Sequence, residues 1–120
     1  MLANILIAIV IAIHLYIVVL EMLLWEKPAG RKAFGLSADF ARQTRVLAAN
    51  QGLYNGFLTA GLLYGLYLGD EGISFRVFFL VCVTIAGIFG AVTASTKILF
   101  VQALPAILAL GAIAFSWIGL

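Results

Sequence analysis

The chain has 120 residues, 65% of them hydrophobic and only 10% charged, with a mean hydropathy of +1.19. Soluble domains run near half apolar and about a quarter charged, and a domain this small buries only part of its surface in water. Composition therefore argues against a water-soluble fold and makes a lipid bilayer the expected solvent, while the net charge of +2 gives no ground for a nucleic-acid partner.

The first apolar stretch predicts helix 1 over about Leu2 to Trp25. It is long enough for the roughly 30 Å hydrocarbon core at about 1.5 Å per residue. No Lys or Arg precedes it, and it ends at Trp25-Glu26 with no small-residue cleavage motif. It reads as a retained helix, not a signal peptide. In the polar segment from Glu26 to Lys32, Pro28 and Gly30 are expected to stop the helix. Ser37 is an expected N-cap for helix 2, with Asp39 favourably placed in its first turn. Helix 2 is expected from about Ala38 to Leu68, longer than a bilayer requires, so that Arg42 and Arg45 stand at the headgroups. Gly69-Asp70-Glu71-Gly72 reads as a turn, helix 3 as about Phe75 to Val92 or Thr93, and Ala94 to Lys97 as a short connection in which Ser95 or Thr96 can cap the next helix. Helix 4 then runs to Ile118, kinked at Pro105, which lacks a backbone N–H.

The expected architecture is all-α: one domain over residues 1–120, an integral membrane four-helix bundle. Lys27, Arg31, Lys32, Arg42 and Arg45 flank the first loop and Lys97 the third, whereas Arg76 stands alone beside Asp70 and Glu71. The positive-inside rule then puts loops one and three in the cytoplasm and both termini outside. The expected location is the inner (plasma) membrane. Gly52 with Gly56, and Gly61 with Gly65, are small-xxx-small pairs that admit close helix neighbours, a candidate surface for homo-oligomer contacts as well. Cys82 lies among apolar residues with no base nearby and reads as a small hydrophobe.

Polar groups inside a span are costly and so point to function. His14 and Glu21 lie seven apart on one face of helix 1, with Trp25 a turn beyond. Asn50, Gln51, Tyr54 and Asn55 share a broad wedge of helix 2. If Trp25 and Arg45 mark one interface, Glu21 is level with Asn50, and His14 with Asn55. Gln102 enters from helix 4 at the depth of Glu21. His14, Glu21, Trp25, Arg45, Asn50, Gln51, Tyr54, Asn55 and Gln102 are the candidate ligand-binding residues, expected around a pocket open to the cytoplasm. Arg42 or Arg45 is an alternative, structural partner for Glu21. One His, one Glu and a distant Cys fall short of a metal ligand set, and no cofactor fingerprint is present.

With these residues in place, the chain resembles a family of short bacterial integral-membrane proteins known as a domain of unknown function. The matching stretches are His14-Leu15-Tyr16 with Glu21 and Trp25, then Ala49-Asn50-Gln51-Gly52-Leu53-Tyr54-Asn55-Gly56, and Gln102 with Pro105-Ala106. The resemblance spans nearly the whole chain and implies a four-helix membrane fold, but no activity or cofactor. A fainter likeness is to the membrane-associated eicosanoid and glutathione metabolism proteins, through the charged first loop and Arg45 followed by Asn50. The acidic residue expected shortly after that Asn is absent, as are the arginines expected in helices 3 and 4. Three functions are consistent with the residues. One is binding or transport of a small polar or amphipathic molecule at Glu21, Asn50 and Tyr54. The second is a membrane enzyme with His14 or Glu21 as its acid–base group and Tyr54 as a proton donor. The third is a structural or accessory subunit.

Overall fold

A computed structural model describes residues 1–119 of the chain. The elements are α1 (Leu2–Met22), α2 (Pro28–Phe34), α3 (Ala38–Tyr67), a 3-10 turn (Gly69–Gly72), α4 (Ile73–Thr93), a π-helical turn (Leu99–Ala103) and α5 (Leu104–Trp117). The described residues are thus all-α, with five α-helices where four were expected. Three helical stretches, Leu2–Met22, Gly69–Thr93 and Leu99–Trp117, are long and apolar enough to cross a membrane. The longest helix, α3, falls outside that set because its first half carries Asp39, Arg42, Gln43, Arg45, Asn50 and Gln51.

The additional helix is α2. Pro28, expected as a stop signal, opens a new helix, because at the first position its missing N–H is one that has no helical partner anyway. Lys27 precedes it in an extended conformation (φ −80°, ψ 161°), and Gly35 closes it in the left-handed region (φ 65°), where a side chain would be strained. Gly30, the second expected stop, is buried against the Leu24 carbonyl, where a Cβ would collide. Helix α1 also ends three residues early, at Met22, so Trp25 sits past the helix and not on its face.

The chain divides into two compact units, residues 14–59 and residues 1–13 with 60–120. In the first, the end of α1, α2 and the first two-thirds of α3 pack around buried Leu20, Ala41, Ala48, Gly52 and Thr59. The predicted Ser37 cap is present, its Oγ accepting from the Phe40 N–H at 3.2 Å. The second unit buries Ile7, Val10, Leu62, Leu80, Val83, Ala103, Ala106 and Ala109. Small residues set its helix spacing: Gly61 faces the Phe79 ring, and Gly87 lies against the backbone of Ala103. The outward surface of α4 is apolar, with Val92 81% and Phe89 69% exposed.

A π-helical turn precedes Pro105. The ladder is rearranged just before it, with the Leu104 N–H reaching the Leu99 carbonyl in the wider π register. Prolines and π turns are both places where a helix departs from the regular ladder.

Candidate functional site

In the unit of residues 14–59, the end of α1 and the residues just after it lie against α3. Asn55 meets Glu21, Gly52 meets Met22, Thr44 meets Trp25, and Arg45 meets Glu26. The two helices are therefore antiparallel neighbours. Gly52 makes the approach close: a Cβ there would overlap the Met22 side chain and lie 3.1 Å from the Glu21 Cβ.

The Asn55 amide donates from Nδ2 to Glu21 Oε1 at 2.6 Å. Depth counting from the interface sets Glu21 against Asn50 and His14 against Asn55 instead. Side chains on a helix lean towards its N-terminus, and in an antiparallel pair that direction points to later residues of α3. The Glu21 carboxylate accordingly reaches past Asn50 to Asn55.

A cleft of about 350 Å³ opens beside this pair, lined by Glu21, Trp25, Glu26, Lys27, Arg45 and Asn50 together with apolar neighbours. Two acidic and two basic side chains share it. Arg45 pairs with Glu26 at 3.8 Å and Arg42 with Asp39 at 2.7 Å. Neither arginine is the partner of Glu21, contrary to the alternative raised from sequence. Among the described residues, no Lys or Arg lies within 4.0 Å of the Glu21 carboxylate. Its hydrogen-bond partner is the neutral Asn55 amide.

Trp25 is held at the rim. Its indole Nε1 donates to Thr44 Oγ1 at 3.0 Å, and that hydroxyl donates to the Phe40 carbonyl at 2.6 Å. The Trp25 ring packs on Phe34 of α2 at a centroid distance of 4.9 Å. Thr44 and Glu26 were not foreseen as site residues. The signal for Thr44 was available in principle, since a partly buried Trp N–H needs an acceptor.

The other candidates disperse. Asn50 lines the cleft but spends its amide N–H on the Val46 carbonyl, at 2.8 Å. Gln51 and Tyr54 are exposed, Tyr54 by 54%, and neither is part of the cleft lining. His14 is only 1% exposed and is also absent from that lining. Gln102 belongs to the other unit, half-buried in the π turn. Among the described residues, no group of three His, Cys, Asp or Glu side chains is placed to hold a metal.

A family model described as "Protein of unknown function (DUF1304)" matches residues 8–114, most of the chain. The chain belongs to the DUF1304 family. A relative in Lactococcus lactis subsp. lactis (strain IL1403), described as "Uncharacterized protein YpaA", is 28% identical over 97 residues, covering 79% of this chain and 82% of the relative. No solved structure matches. The DUF1304 match agrees with the resemblance to a family of unknown function, and nothing found supports the fainter likeness to eicosanoid and glutathione metabolism proteins.

Proposed function

We propose that this DUF1304 protein is an integral membrane protein of the plasma membrane that binds, or carries, a small polar or amphipathic molecule in the cleft at Glu21. Three apolar helical stretches of sufficient length support the membrane setting. α3 is the fourth crossing, tolerated in spite of its polar residues because the exposed Asp39, Arg42 and Arg45 lie in the portion that would extend beyond the hydrocarbon. The concentration of Lys and Arg around α2 supports a cytoplasmic location for that end, with the termini and the Asp70-Glu71 turn outside.

One observation carries the binding reading: the Glu21 carboxylate borders a cleft, is hydrogen-bonded by Asn55, and has no cation within ion-pair distance. A carboxylate away from bulk water favours a cationic or hydrogen-bond-donating partner. A ligand with an amine or several hydroxyl groups fits that demand, and Arg45 and Lys27 at the rim add affinity for an acidic substituent. The absence of His14 and Tyr54 from the cleft lining favours binding over acid–base catalysis at this site.

The test is ligand-induced thermal stabilisation of the detergent-purified protein across a metabolite panel, in wild type and Glu21→Gln. A compound that stabilises wild type and not the variant supports the reading. No stabilisation by any amine- or hydroxyl-bearing compound counts against it.

A further inference from the structure

The unit formed by residues 1–13 and 60–120 contains a separate open-mouthed cavity of about 750 Å³, with exposed Met1, Leu2 and Trp117 in its lining, that the Glu21 cleft does not involve. Its volume falls in the range of roughly 300–1,000 Å³ that accommodates small-molecule ligands. Arg76 is part of its wall and is only 8% exposed. A guanidinium cannot shed its charge, so burying one calls for compensation by anions or acceptors.

The compensation present is incomplete. Arg76 Nη1 donates to Asn4 Oδ1 at 3.1 Å and Nη2 to the Gly69 carbonyl at 2.5 Å, and both acceptors are neutral. Nε is buried with no hydrogen-bond acceptor, and no Asp or Glu among the described residues lies within 4.0 Å of the group. Asp70 lines the same cavity without pairing with it. Nor is the arginine a chance occupant, because the fold makes room for it: a Cβ at Gly65 would overlap the Arg76 Cγ. The remaining wall is largely apolar, including Leu2, Ile73, Ile113 and Trp117, with Ser116 as a further hydroxyl.

We propose that this cavity binds the oxyanion headgroup, phosphate or carboxylate, of a single-chain amphiphile, with Arg76 as the recognition residue and the apolar wall taking the start of the chain. A planar guanidinium, each of whose Nη atoms carries a second N–H beyond the one given to Asn4 or Gly69, matches an oxyanion in charge and geometry. The neutral oxygens of Asn4 and Gly69 hold the arginine in place without cancelling its charge. Asp70 opposes anion entry and so tunes the affinity downward.

Native mass spectrometry in a neutral maltoside detergent tests this with dodecyl phosphate as the probe and inorganic phosphate as competitor. One dodecyl phosphate per chain is expected. Arg76→Gln should weaken it about tenfold or more, and Asp70→Asn should tighten it several-fold by removing a like charge. Ala112→Phe, which fills the cavity while leaving Arg76 in place, should also abolish binding, and it serves if Arg76→Gln does not fold. Competition by inorganic phosphate would identify the anion itself as the ligand's essential part. No competition would show that the chain is required, as for a lipid. No adduct on wild type, or equal binding in wild type, Ala112→Phe and Asp70→Asn, overturns the proposal.

Discussion

Asn55 donates its amide to Glu21 across 34 positions of sequence, joining α3 to the last turn of α1 at 2.6 Å. Removing the donor alone leaves a partly buried carboxylate without this hydrogen bond. Asn55→Ala should therefore cost about 1–3 kcal/mol of stability, the usual effect of stranding such a group. Glu21→Gln keeps an acceptor for the amide and should cost less than about 1 kcal/mol. Denaturation in mixed micelles measures both. Equal losses would mean that the pair does not behave as the geometry requires.

Thr44 both accepts from Trp25 and donates to the Phe40 carbonyl. Thr44→Val keeps the shape and removes the acceptor, so about 1 kcal/mol should be lost. In a Trp117→Phe background, Trp25 is the sole indole, and its emission should shift when its hydrogen bond is removed. An unchanged spectrum would place the indole N–H elsewhere.

Gly30 and Gly111 give opposite expectations for the same substitution. A Cβ on Gly30 meets the Leu24 carbonyl, whereas nothing lies within 4 Å of one on Gly111. Gly30→Ala should destabilise by about 1–3 kcal/mol through overpacking. Gly111→Ala, within α5, should be neutral or stabilise by up to about 1 kcal/mol. Thermal unfolding of the two variants side by side checks the contrast.

The Arg45–Glu26 pair is long, at 3.8 Å, and its side chains are exposed. Arg45→Ala should change stability by less than about 0.5 kcal/mol, while weakening any ligand that carries an acidic group towards the cleft. Stability and ligand-titration measurements on one preparation separate the two effects.

The proposed orientation is tested by cysteine labelling in a Cys82→Ser background. Asp70→Cys should react with a membrane-impermeant maleimide on intact cells, and Lys32→Cys only after lysis. The reverse pattern would invert the assignment.

The long helices were legible from two kinds of signal: the apolar run that opens α1 at Leu2 and the Ser37 cap that opens α3 at Ala38, both as in the structure. The family was legible too, since the Asn50 to Gly56 segment lies inside the matched region. What failed was local punctuation and direction. Pro28 carries the same signal at the end of one helix and the start of the next, and only the Gly35 closure distinguishes them. Counting residues from an interface gave depth but not the lean of a side chain, which is why Asn55 and not Asn50 receives Glu21. The Arg76 cavity was invisible from sequence because its lining comes from the first residues of the chain, the turn after α3, the start of α4 and the end of α5.

The π turn has a consequence for how chain length can vary. Ile98 faces Gly90 and Ala103 faces Gly87, so both address α4, although they are five positions apart and would point in different directions on a regular α-helix. The turn holds a spare residue that brings them into phase. A chain shortened by Val101 alone would place them four apart, on one stripe of an unbroken helix. This segment can therefore lose a residue without rotating everything that follows, and a gap in the alignment of a related sequence at this point would leave the packing on α4 intact.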